Sequence, residues 1–171
     1  MIIKWLLALL CFALPLSATP AMLADDNLAS NIAGVYKHLR CGKWPNGKDR
    51  QFEDILEIVP YSDDAIYFRT RLESAGICAV FGIAHKMGTE FLYKGAEDSC
   101  QLTLKVQKDG SIVFEDNDMQ CAKVSCGVGN HFDKKVFMSQ EKRPISYLDR
   151  LKKSWQYQSA VKHEEDAAQK N

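Results

Sequence analysis

Polar and apolar positions alternate most regularly just after Cys100. Leu102, Leu104 and Val106 take one side of the chain, and Gln101, Thr103, Lys105 and Gln107 take the other. A period of two marks a strand with one buried and one wet face. Asp109-Gly110 supplies residues suited to a two-residue type I′ turn, after which Ile112 and Phe114 return on the buried side. The same reading along the chain predicts strands at 34–39, 54–59, 65–72, 78–85, 90–94 and 135–138. In 65–72, Ile66, Phe68, Thr70 and Leu72 face away from Tyr67, Arg69 and Arg71. Residues 78–85 are apolar on both faces, and Gly82 in their middle predicts a bulge or sharp bend.

Turn-forming residues separate these runs. Residues 60–64, 73–76, 86–89 and 126–130 read as turns or loops, and so does 41–50 (CGKWPNGKDR), with its Gly, Pro, Asn and charge. Short strands at roughly ten-residue spacing describe an antiparallel meander. The predicted fold is therefore mainly β: an up-and-down meander forming a small barrel or curled sheet, which limits exposed edges. An open two-sheet sandwich is the second choice. Phe68, Phe81, Phe91, Leu104 and Phe114 supply bulk to fill the interior.

Beyond Pro144 the period changes. Leu148, Leu151 and Trp155 repeat at helical spacing, and Ser146 with Asp149 forms a weak capping box. This predicts a helix over 144–163 packed on the sheet, followed by a polar, frayed tail at 164–171. A short polar stretch at 25–30 reads as a helical turn.

Residues 1–21 read as a secretory signal. Lys4 precedes the apolar run of residues 5–16, and Thr19-Pro20-Ala21 offers a cleavage site. The run is too short for a mature spanning helix. The remainder, from residue 22, is the length of one domain, with 22–143 as a disulfide-stapled β-domain. Removing the leader takes away Lys4 alone, so the mature chain stays near neutral. Such a balance gives no electrostatic footprint for nucleic acid or an anionic membrane.

Five cysteines remain: Cys41, Cys78, Cys100, Cys121 and Cys126. Their number fits an oxidising, periplasmic or secreted setting. With a two-residue turn at Asp109-Gly110, partners across the hairpin sum to about 219, which brings Cys100 near Cys121. Cys78 and Cys100 would sit on next-but-one strands, roughly 10 Å apart, so Cys78 is assigned to Cys126. Cys41 is left as the free thiol, which leaves room for a disulfide-linked dimer. Zinc is a weaker use for Cys121, Cys126 and His131, whose separations of four residues each stand at the wide end of the usual two to four between paired ligands.

No catalytic motif is visible: Gly-x-Ser-x-Gly, a Walker loop and His-Glu-x-x-His are all lacking, and the four histidines are scattered. The chain is predicted to be non-catalytic, with no cofactor and no metal. The residues that stand out for binding are Trp44, Lys43, Lys48 and Arg50, an aromatic among cations on a predicted loop. The plainer alternative folds Trp44 back as a plug in the barrel mouth.

GICAVFGIAHK, SCQLTLKV and CAKVSCGVG, spanning the cysteines, resemble segments of a poorly characterised group of small exported proteobacterial proteins. These are similar to the β-rich domain of lysozyme-inhibitor-like proteins. The likeness covers roughly residues 34–160, although Val128-Gly129-Asn130 stands where that group usually carries an arginine after Cys-Gly. The resemblance implies a periplasmic protein that recognises another protein, such as a cell-wall hydrolase of the lysozyme type, and inhibits it. Gly34-Val35-Tyr36 resembles the Gly-x-Trp opening of lipocalin-like barrels, which implies the alternative of a carrier for a small apolar ligand.

Overall fold

The computed structural model describes residues 28–43, 47–74, 76–95 and 99–170; the predicted signal segment and Trp44 lie outside them. Nine antiparallel strands form one curled half-barrel sheet. They are β1 (Gly34–Lys43), β2 (Asp49–Ser62), β3 (Ala65–Glu73), β4 (Ile77–Met87), β5 (Glu90–Lys94), β6 (Gln101–Val106), β7 (Ile112–Glu115), β8 (Val136–Phe137) and β9 (Lys142–Arg143). Sequential strands are neighbours from β1 to β8, and β9 returns to pair with the start of β1. The helices are α1 (Leu28–Ile32), α2 (Gln120–Ser125), α3 (Leu148–Lys152) and α4 (Trp155–Ala168).

Alternation decides which side chains enter the curl. On β3, Ile66, Phe68 and Leu72 point inward with Leu56 and Ile58 of β2, while Phe91, Leu102, Leu104 and Phe114 extend the same core across the later strands. Tyr36 approaches Phe137 edge-on at 6.4 Å between ring centroids, so aromatic side chains bridge towards the far end of the sheet. The Tyr36 hydroxyl donates to the Ile32 carbonyl at 2.9 Å, which seats α1 at the mouth. The inner face is thus filled by side chains.

Phe81, expected in that interior, lies on the opposite face. The apolar run of 78–85 left its parity open, and the register Leu72↔Cys78 and Thr70↔Val80 turns Cys78 and Val80 inward and Phe81 outward. Nor does Gly82 mark a bulge, because β3 and β4 pair without interruption through Phe68↔Gly82. Glycine stands there because the Tyr93 ring crosses it: a Cβ would come within 2.2 Å of that ring.

The hairpin of β6 and β7 also differs in detail from its prediction. The pairs Leu104↔Phe114 and Val106↔Ile112 place five residues between the strands, with only Gly110 left-handed (φ 78°). Asp109 keeps ordinary backbone and instead accepts hydrogen bonds from the Ser111 amide (3.0 Å) and hydroxyl (2.6 Å). After Glu115 the chain leaves the sheet. The buried carboxylate of Asp116 accepts from the amides of Cys121 (2.9 Å) and Ala122 (2.8 Å), satisfying the free N–H groups that open α2.

Both predicted bridges are present. Cys100–Cys121 has its Cα atoms 4.3 Å apart and Cys78–Cys126 has them 4.0 Å apart; Cys41 is free and exposed. Two disulfides are compatible with an oxidising, exported setting.

The C-terminal segment covers the outer face of the same sheet. Val59, Tyr67 and Ile83 point outward and are capped by Leu151, Tyr157 and Ala160. The single helix expected over 144–163 is two: α3 ends near Lys153, and Ser154 starts α4 by accepting from the Tyr157 amide at 3.4 Å. Ser146 plays no capping part, since Tyr147 occupies the N-cap of α3. Helix α4 continues to Ala168, through most of the expected tail. Among the described residues no helix is long and apolar enough to cross a membrane.

Candidate functional site

The stretch 41–50, expected as a loop, contributes strand at both ends, 41–43 and 49–50, with 47–48 outside any strand. Cys41↔Gln51, Gly42↔Arg50 and Lys43↔Asp49 pair as the end of a long hairpin. The β2–β3 ladder begins only at Ile55↔Arg71, so the last turns of the hairpin have no third strand beside them. They project beyond the sheet as a two-stranded ribbon. Glycine and charge disfavour a fully buried strand, but this ribbon has one exposed face and one only half covered, where Phe52 lies against Gly42 and Arg50.

The base of the ribbon is fastened by Asp54, which is buried. Its carboxylate accepts from Arg40 through Nη2 (3.0 Å) and Nε (3.2 Å) and from the Glu73 amide (2.8 Å). Farther out, Phe52 lies under the Arg50 guanidinium, 4.5 Å from ring centroid to cation, a favourable cation–π distance. Of the residues singled out for binding, Lys43 and Lys48 are exposed near the tip. Lys43 lies 3.8 Å from Asp49. Arg50 is turned back towards the sheet, onto Phe52 and within 4.0 Å of Glu73. Trp44 falls outside the described residues.

A second feature was not anticipated. Where α3 and α4 stop covering the outer face, a cleft of about 640 Å³ opens between the sheet and the helix junction. Its floor is two cross-strand rows: Glu57, Arg69 and Phe81 in one, and Lys37, Ile55, Arg71 and Ala79 in the next. Its wall is Tyr147, Arg150 and Trp155. Trp155 is 68% exposed, yet its ring meets Phe81 edge-on at 5.1 Å.

One buried charge organises the inner end of this cleft. Glu57 pairs directly across the sheet with Arg69, whose Nη2 donates to Oε1 at 2.9 Å and whose Nε donates to Oε2. The Tyr147 hydroxyl donates to Oε1 at 2.5 Å. Burial, with the hydrogen bond and charge of Glu57, pushes the Tyr147 phenol up to about 12. The hydrogen bonds it donates to Glu57 likewise hold the Arg69 guanidinium above its ordinary range. Both groups therefore stay protonated donors at neutral pH. Arg150 stacks over Tyr147 at 5.2 Å.

Sequence reasoning missed this cleft because its parts are scattered over residues 37–156 and its aromatic pair lies across the β4–α4 junction. The alternation of Arg69 and Arg71 with apolar neighbours was the one local signal, and it reads equally well as a solvated face.

Comparison with family models, with curated proteins and with solved structures returns no match for this chain.

Proposed function

We propose that the protein is an exported, non-catalytic binding protein that recognises another protein and inhibits a cell-wall hydrolase of the lysozyme type. The observation that carries this reading is the ribbon itself, with Lys43 and Lys48 exposed on a hairpin that extends past its sheet. Glycoside hydrolases work with two carboxylates flanking the scissile bond, in a cleft open to the polymer. A narrow ribbon with Lys43 and Lys48 exposed near its end complements such a cleft in sign. Its anchoring through Arg40 and Asp54 presents it preformed, which lowers the ordering cost of binding. The resemblance of the cysteine-bearing segments to lysozyme-inhibitor-like proteins points the same way.

The alternative of an apolar-ligand carrier asks for room inside the curl. There, Phe68, Phe91, Leu104 and Phe114 pack against one another's neighbours with their side chains fully buried.

The test is the rate of lysozyme-catalysed lysis of cell walls in the presence of the purified, oxidised protein. Concentration-dependent loss of lysis is expected. Trp44→Ala should weaken inhibition about 30-fold, the equivalent of the ~2 kcal/mol that a central tryptophan commonly contributes. A lytic rate unchanged at micromolar protein with both disulfides intact would overturn the reading.

A further inference from the structure

The cleft on the outer face lies away from the ribbon tip and carries a different chemistry. Four cations line it, Lys37, Arg69, Arg71 and Arg150, against the single carboxylate of Glu57 among the described lining residues. Glu57 is already engaged by Arg69 and Tyr147. Lys37 is paired with Glu53 at the surface, whereas Arg71, half-exposed itself, is paired with the mostly buried Glu73. An exposed pair such as Lys37–Glu53 is worth only about 0–1 kcal/mol, which leaves Lys37 open to a better-placed anion. Beside them stands the Phe81–Trp155 pair, with one indole face open to solvent.

We propose that this cleft binds an acidic peptide segment of a partner protein, with an aromatic residue between two carboxylates. The spacing argues for a chain rather than a small anion. Lys37 and Arg71 are two strands apart, with Ile55 between them, a separation of roughly 10 Å. Two carboxylates at that spacing can each meet one of the two cations. In an extended polyproline-II chain, residues three apart lie on one side at a rise of about 9 Å, which matches. An aromatic side chain between them lies above Ile55, on the side of the cleft that faces the Phe81–Trp155 pair, where aromatic pairing adds to area burial. The opening along the sheet leaves both ends of such a chain free to continue. This site does not depend on the ribbon or on inhibition of a hydrolase.

The probe is a capped hexapeptide with glutamates three positions apart and a phenylalanine between them, titrated into isotopically labelled protein. Saturable shifts are expected at the Trp155 indole and the Arg71 amide. Replacing both glutamates by glutamine should weaken binding about tenfold or more, and raising the salt should weaken it further. Trp155→Ala and Arg71→Glu should each cost at least about fivefold, with Lys37→Gln as a milder second variant; Lys123→Glu on α2 serves as the remote control. Equal shifts from the glutamine peptide would overturn the proposal. So would saturation by 3-phenylpropionate at the same affinity, which would make the cleft a small-anion site. Absence of any saturable shift at the cleft up to millimolar peptide would also refute it.

Discussion

The same strands β1–β4 present two faces that are finished to different degrees. Inward, Ile58, Ile66, Phe68 and Leu72 are fully buried in a core that continues to β8 and is locked by two disulfides. Outward, the row of Val59, Tyr67 and Ile83 is covered by α3 and α4, and in the next row Val35 and Glu57 are buried while Arg69 and Phe81 are only half covered. The next rows end in solvent, with Trp155 68% and Leu39 62% exposed. The inner face meets the ordinary demand that apolar area leave water. The outer face leaves apolar area, aromatic rings and cations accessible together, a combination found at interfaces. The difference separates what holds this fold from what it offers to others.

Four measurements would break or sharpen that contrast. The largest effect is expected at the centre of the inner face, where Phe68→Ala removes a fully buried ring that meets Tyr93 edge-on at 5.2 Å. A loss of about 3–5 kcal/mol is expected, read by chemical denaturation. A loss below about 1 kcal/mol would mean that the core reorganises around the gap.

The staples come next. In the chain-entropy picture, removing Cys78–Cys126 (48 residues apart) should cost about 4 kcal/mol and removing Cys100–Cys121 (21 apart) about 3 kcal/mol, by paired serine replacement. Cys41→Ser should leave the melting temperature unchanged. A bridge-free protein as stable as the parent would show that the filled face needs no staple.

On the outer face, Glu57→Gln removes the charge that Arg69 and Tyr147 share. Arg69 is 29% exposed, so water offsets part of the loss, and about 2 kcal/mol is expected. A neutral outcome would place Glu57 with the solvated surface. The smallest effect belongs to Trp155→Ala, under about 1 kcal/mol for so exposed a ring. A larger loss would show that the Phe81 contact supports the helix junction and that this face is more finished than its exposure indicates.

The contrast also explains what could be read from sequence. Leu102, Leu104, Phe68 and Leu72 announced their strands because burial on one face imposes a period of two. The disulfide partners were legible although the route between them was not. The register argument carried Cys100 to Cys121 along a straight strand, whereas Asp118 and Met119 take left-handed backbone (both φ 56°) and α2 brings Cys121 back. Residues 41–43 and 49–50 were misread because the half-covered face of the ribbon carries Gly42 and Arg50 instead of apolar side chains, so the period of two leaves no hydrophobic trace. The break between α3 and α4 escaped notice because Leu148, Leu151 and Trp155 continue one helical spacing straight across Ser154. Phe81 was misplaced because 78–85 is apolar on both faces, inner core on one and helix contact on the other. The candidate surfaces follow tertiary placement, and a single chain leaves little periodic trace of them.

The two bridges are nested: Cys100 and Cys121 lie inside the loop that Cys78 and Cys126 close. This matters for the order of oxidation. A chain whose thiols pair consecutively as they emerge joins Cys41 to Cys78 first, then Cys100 to Cys121, and strands Cys126. The second of those bonds is native and the first is not. Reaching the final state then takes one thiol–disulfide exchange, with the Cys126 thiolate attacking the Cys78 sulfur and releasing the Cys41 thiol. For a chain oxidised in that order, the unpaired cysteine on β1 is the leaving group of the last covalent step.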